Sequence, residues 1–269
     1  MRKTILAFAL LATSAAEAAD HGNLETNFPL VIEDAYPVGR NGIEAQLFAR
    51  GTRLNDDPEG DGLSELAARI EWGAFRNFQI ALETPYRFGS GSAADSGTVA
   101  VEALYNFNTE TLSLPAFSVA AGLERPYGQD GEDGGLEASI GLLSTLSLGT
   151  SGGGSPYAYV PRQLHFNATY IHNFDPLGTE RTDRYLVGIG YSQPVTNDLV
   201  LVGDLYRETD REEDRALNMV ELGGRYVITP HTIVSAGIGV GFGPDRTEDA
   251  RLTLGVQHAM SFPYLGAPR

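Results

Sequence analysis

Residues 65–86 constrain the fold most tightly; they read ELAARIEWG, then AFRN, then FQIALETPY. Leu66, Ala68, Ile70 and Trp72 alternate with Glu65, Ala67, Arg69 and Glu71. Past a short turn, Phe78, Ile80 and Leu82 alternate with Gln79, Ala81 and Glu83. A period of two sustained over roughly eight to ten residues marks a strand, and two such runs joined by a short turn mark a hairpin. One face is apolar with an aromatic residue at the turn end, and the other carries charge. In a soluble sandwich the apolar face would cover a shared core. In a membrane barrel it meets lipid, and the charged face lines the lumen.

The same pattern recurs along most of the chain. Ile43, Ala45, Leu47 and Ala49 oppose Glu44, Gln46 and Arg50, with Phe48 breaking the polar side. Val99, Val101, Ala103, Tyr105 and Phe107 oppose Glu102 and Asn106 in a strand expected over residues 98–108. Residues 136–148 are the least regular run, and a strand is expected over residues 164–174. Leu199, Leu201, Gly203 and Leu205 oppose Val200, Val202, Asp204 and Tyr206. The final run, residues 251–262, alternates Leu252, Leu254, Val256, His258, Met260 and Phe262 with Arg251, Thr253, Gly255, Gln257, Ala259 and Ser261.

These runs predict an all-β chain: a transmembrane antiparallel up-and-down β-barrel of about 12 strands, an even number as bacterial barrels require. Odd-to-even connections are acidic and long, whereas most even-to-odd connections are short, as for outer loops and periplasmic turns. If the first strand rises from the periplasm, Trp72, Phe78, Tyr105, Phe107, Phe117, Phe166, Tyr191, Tyr226 and Phe262 fall near the periplasmic ends of outward faces. That placement predicts an aromatic girdle.

The start of the chain sets the compartment. Arg2 and Lys3 precede an apolar run over residues 5–12, and Ala16 and Ala18 stand at the minus-three and minus-one positions of a cut before Ala19. Residues 1–18 therefore read as a secretory signal peptide. Cleavage would leave the chain one unit more acidic than its full-length formal charge of −16. Such acidity argues against nucleic acid, which needs a basic footprint. Residues 19–41 have no clear period, and Pro29 and Pro37 interrupt any regular run. They read as a periplasmic lead-in or as a segment entering the lumen. Residues 42–262 form the barrel, and residues 263–269 a short tail. There is no cysteine, so stability rests on burial and ring closure, and the 32 glycines suit a curved, closed sheet better than a soluble core.

The candidate functional residues are the inward charges. Glu44, Arg69, Glu83, Glu102, Glu124, Asp204, Glu221 and Arg225 are the candidate lumen or permeation residues, accompanied by Glu65, Glu71, Glu137, Arg50, Arg87, Arg184 and Arg251. Two readings stand: cross-strand ion pairs filling a narrow barrel, or a water path with cation preference. Glu83, Glu102 and Glu124 are expected on adjacent strands, with Arg69 or Arg87 as neutralising partners.

No catalytic constellation is legible. His172 and His258 point outward near opposite ends of their strands, and no serine, histidine and orienting group share a readable spacing. No enzyme activity, cofactor or metal is expected. The loop GQDGEDGG has the composition of a calcium loop without the ligand spacing of an EF-hand.

The run IEDAYPVG near the start, the hairpin IEWGAFRNFQIALETPY and a terminal strand ending in Phe262 resemble the outer-membrane family labelled "MetA-pathway of phenol degradation". The resemblance runs from about Val31 to Phe262. It implies a barrel in the outer membrane of a Gram-negative bacterium and uptake of small hydrophobic or aromatic compounds; it supplies no binding residue. The segment PYLGAPR after Phe262 departs from a barrel ending in an aromatic residue. Two functions are carried forward. One is a passive channel or transporter for small molecules. The other is a structural or surface-interaction barrel with a plugged lumen and acidic outer loops. The expected partners are outer-membrane lipid and lipopolysaccharide, the barrel-assembly machinery and a small-molecule solute.

Overall fold

The computed structural model describes residues 24–261 apart from 56–60, 91–93, 129–134, 150–160, 177, 179, 212–214 and 245. Twelve strands run in chain order: β1 (Gly42–Leu54), β2 (Gly62–Phe75), β3 (Phe78–Gly89), β4 (Ser96–Asn106), β5 (Ala116–Gly128), β6 (Glu137–Ser147), β7 (Gln163–Asn173), β8 (Asp183–Pro194), β9 (Leu199–Thr209), β10 (Ala216–Thr229), β11 (Thr232–Phe242) and β12 (Glu248–Ser261). Each pairs antiparallel with its neighbours in sequence, and β1 closes on β12. The closing register runs from Gly42 opposite Ser261 to Thr52 opposite Arg251. Closure leaves no unpaired sheet edge, so the backbone hydrogen bonds of the wall are internally satisfied.

Side-chain alternation follows the pleat. Leu66, Ile70, Leu82, Val101, Leu123, Ile140, Leu201, Ile238 and Leu254 lie exposed on the outer wall, while Glu65, Arg69, Glu71, Asp204, Glu221 and Arg251 are buried inside. The strand expected over 98–108 ends earlier, at Asn106, because Phe107 and Asn108 belong to the connection, where Asn108 Oδ1 accepts the Phe117 N–H at 2.7 Å. β7 likewise stops at Asn173, and exposed Phe174 sits edge-on to His172. The signal peptide, the GQDGEDGG loop except for its end glycines, Phe262 and the tail lie outside the described residues.

The interior holds more than wall. Residues 24–38 fold back into the lumen as an irregular loop, tied to itself where Asp34 N–H meets the Leu24 carbonyl at 2.9 Å. Its apolar side chains form four small cores with inward wall residues. Ala35 packs with Leu104, Ala116, Ala120 and Leu143. Phe28 packs with Ile233 and Ala259, and Leu24 and Leu30 with Val200 and Val202. Ile32 packs with Tyr206, Leu217 and Met219. The irregularity of residues 136–148 has its cause here: Leu143 faces inward to cover Ala35 while Ile140 and Leu142 face out.

Candidate functional site: the lumen and its plug

The plug is held by side chains, because an irregular backbone inside a completed barrel has no strand to pair with. Asp204 accepts the N–H groups of Val31 and Ile32 at 3.0 and 3.1 Å, and Glu221 stands 3.3 Å from the Val31 N–H. Asn167 accepts the Glu33 N–H and donates to its carbonyl, both at 2.9 Å. Thr145 accepts the Ala35 N–H, Asn106 and Ser118 donate to the Ala35 carbonyl, and Gln79 accepts the Val38 N–H. Gln257 donates to Glu25 at 3.1 Å, and Arg50 donates to Asn27 at 2.7 Å. Glycines make room where backbone approaches closely: Ile32 lies against Gly188 and Gly190 on β8, and Pro29 against Gly223 and Gly237 on β10 and β11. With Glu25 beside Glu71 on β2, the plug touches all twelve strands.

Above the plug, an ionic network lines the wall. Arg69 is its hub, donating to Glu71 at 2.7 Å, Glu83 at 2.9 Å and Glu102 at 3.0 Å. Side-chain exposure rises along that series from 1% to 13% to 28%, so the network leads from sealed interior into open space. Glu65 bridges Arg50 at 3.1 Å and Arg87 at 3.0 Å. Arg251 meets Glu248 at 2.8 Å, Glu221 at 3.5 Å and the Tyr206 hydroxyl at 2.8 Å. Glu137 is clasped by Arg184 and by Arg211, the latter at 3.0 Å. All of these groups but Glu71, Glu221 and Tyr206 line a cavity of about 820 Å³ that reaches from Val31 and Glu33 on the plug to Asn55, Ser96 and Thr247 at the loop end.

The eight candidate lumen residues all face inward, but they divide into sets. Arg69, Glu83 and Glu102 meet directly. Glu124, diagonal to Glu102 across the β4–β5 ladder, makes no ion pair with Arg69 and lies 3.8 Å from Arg211 in the β9–β10 connection. Asp204 and Glu221 hold plug backbone. Arg225 donates to Gln257 at 2.8 Å and lies 5.7 Å from the centre of the Phe28 ring. Glu44 faces Glu71 across the β1–β2 ladder and takes a hydrogen bond from Gln257. Sequence reasoning missed Glu25, Glu33 and Asp34, which have no strand period to betray them. Burial raises the Glu33 carboxyl from 4.5 to about 8, reinforced by Glu102 and opposed by Arg69.

On the outer wall, Trp72, Tyr105, Phe107, Phe166, Tyr191 and Tyr226 are exposed. Phe78 and Phe117 are half-buried, with Phe78 against Phe75 at 5.9 Å and Phe117 stacked on Phe107 at 6.3 Å. Except for Phe262, the aromatic residues expected at one rim therefore all belong to outward faces or their adjoining connections.

No protein-family model and no curated protein matches the chain. Solved structures do. The COG4313 outer membrane channel from Pseudomonas putida F1 superposes with a TM-score of 0.60 at 10% identity, over 84% of this chain and 98% of that one. NanC porin gives 0.53 at 11% identity, over 79% and 98%, and KdgM porin 0.51 at 13% identity, over 81% and 99%. At such identities the likeness speaks to fold alone: a closed twelve-strand antiparallel barrel of the kind these outer-membrane porins and channels use.

Proposed function

We propose that the chain is an outer-membrane channel for small solutes, with residues 24–38 as a plug that keeps the turn end shut in the state described here. The observation that carries this reading is the charged cavity of about 820 Å³ floored by a segment held through side-chain hydrogen bonds instead of strand pairing. A segment held in this way can leave without breaking the wall. The apolar outer face supports placement in the outer membrane, and the exposed aromatics support a girdle at its inner rim. Aromatic or hydrophobic solutes suit the cavity when they carry an ionised or hydrogen-bonding group, since its wall is a mosaic of carboxylates and guanidiniums.

The test is conductance in planar bilayers. Wild type is compared with the double variant Asp204→Ala, Thr145→Val, which removes the acceptors for the N–H groups of Ile32 and Ala35 and the nearer of the two for Val31. Higher conductance in the folded variant supports a releasable plug. Two folded but silent proteins would leave the second reading, a structural barrel, which is favoured by the plug's contacts with every strand. In that reading the acidic outer loops meet lipopolysaccharide phosphates through bridging divalent ions. In either reading the barrel-assembly machinery inserts the chain. Cysteines at Asp61 and Ser90 should label from outside whole cells, and cysteines at Arg76 and Asn197 should not; the reverse pattern would invert the orientation.

A further inference from the structure

The plug brings a third carboxylate to a pair the wall already holds. Glu44 on β1 and Glu71 on β2 are direct cross-strand partners, an arrangement that repels when both are ionised. Glu25, in the turn where Phe28 N–H meets the Glu25 carbonyl at 3.0 Å, brings its side chain beside them and shares the Gln257 amide with Glu44. One oxygen from each of the three carboxylates lies within 4.8 Å of the others, and all three residues are buried.

Nearby cations do not balance this cluster. Arg69 reaches Glu71 but also serves Glu83 and Glu102. Arg225 donates through Nη2 to Gln257 and faces the Phe28 ring, while its Nε and Nη1 have no hydrogen-bond partner and reach no carboxylate of the cluster within hydrogen-bond distance. Five carboxylates thus share two guanidiniums.

Two buried acceptors in the same place are unsatisfied. Glu25 Oε2 meets no N–H or O–H donor, although Glu25 is only 7% exposed, and its side chain stands at hydrogen-bond distance from the carboxylates of Glu44 and Glu71. Gln46 Oε1 has none either; Gln46 is 3% exposed, and its amide nitrogen lies 3.3 Å from Glu71 Oε2. Buried acceptors in folded proteins are nearly always satisfied, so these acceptors beside three carboxylates leave a place for a further donor or cation.

We propose that Glu25, Glu44 and Glu71 bind a divalent cation of the calcium class that fastens the plug to the β1–β2 wall. The donor set is entirely oxygen, with no histidine or cysteine, which suits a hard cation over a transition metal. Three carboxylates leave further positions for the Gln46 carbonyl and water, in keeping with the six to eight oxygens calcium takes. The site needs only the docked plug. Its consequence for permeation rests on the channel reading, so binding and plug position are measured without conductance.

The experiment uses the full barrel stripped with a chelator and titrated with calcium chloride by calorimetry. A Thr26→Cys reporter is labelled in parallel with a soluble thiol reagent. The expected result is one buried calcium per chain, weakened at least about tenfold in Glu25→Gln, as loss of a ligand should do where even supporting residues cost ~10–100-fold. Calcium should also slow labelling of the reporter in wild type and leave it unchanged in the Glu25→Gln background. Glu25 lies outside the barrel strands, so its substitution spares the fold; Glu44→Gln serves as the wall-side check. Equal binding by wild type and Glu25→Gln would assign the ion to the acidic loops and overturn the proposal. Absence of binding by either would leave the cluster to shared protons and overturn it as well.

Discussion

Phe28 occupies the space that Gly255 lacks a side chain to fill: any Cβ at Gly255 would overlap the Phe28 ring. Gly255→Val should therefore eject the Phe28 turn while leaving β12 paired, because valine suits a strand. Overpacking of this kind costs about 1–3 kcal/mol, here charged to plug docking. Reporter labelling at Thr26→Cys should rise. Gly203→Val, on the outer wall where the nearest neighbour is the flexible end of Leu222, should leave labelling unchanged. Equal labelling in both variants would refute the packing argument.

Arg69→Met should be among the most damaging wall substitutions. It strands Glu71, Glu83 and Glu102 around an apolar side chain, and breaking a buried ion pair from one side costs about 3–5 kcal/mol. Adding Glu83→Gln and Glu102→Gln should recover much of that loss. Urea refolding into bilayers measures both; a triple variant no more stable than the single one would contradict a charge-based cause.

Leu201 and Ile238 are exposed on the outer wall. Leu201→Arg and Ile238→Arg should each destabilise the bilayer-inserted barrel by roughly 2–4 kcal/mol if the sites lie at mid-depth. Ala100→Arg, which points into the cavity, is the matched control and should cost less. Ser118 is unsuitable as an inward control because it is fully buried and bonded to the plug at Ala35. Equal tolerance at all three sites in the refolding titration would place the apolar face away from lipid.

Docking of the plug should weaken as pH rises. The Glu33 carboxyl sits at about 8 when docked, against 4.5 as its ordinary value. The docked state thus holds its proton more tightly. The contribution is fully present below about pH 4.5 and is lost as pH climbs toward 8. Glu33→Gln, neutral at every pH, should remove this component from a labelling-versus-pH profile read at Ala35→Cys, which is fully buried when docked and leaves the Thr26 hydrogen bond to Glu33 in place. A profile unchanged by the substitution would assign the pH response to other groups.

The wall was legible because each strand carries its own alternating record. Leu66 to Trp72 and Leu252 to Phe262 needed no partner to be read, and the even strand count followed. The plug was legible only as one of two readings of residues 19–41, because its order comes from distant wall side chains, as with Gln257 and Glu25, 232 positions apart. A trace did exist on the wall: Phe48, Leu104, Leu143, Val202 and Met219 stand on faces that should be polar, and each is buried inside. Apolar residues on a lumen face mark something lying against them. The grouping of Glu124 with Glu83 and Glu102 follows from alternation and holds in the register, whereas Arg211, 3.8 Å from Glu124, lies in a loop that alternation does not position.

The contacts between the plug and every strand impose an order of assembly. Residues 24–38 precede β1, yet Glu25 and Phe28 find their places only once β12 has joined β1 and brought Gln257 and Gly255 into the ring. Complete docking of the segment therefore requires the closed ring. Its docking spans the β1–β12 seam, so the earliest of these residues in the chain latches the first strand to the last.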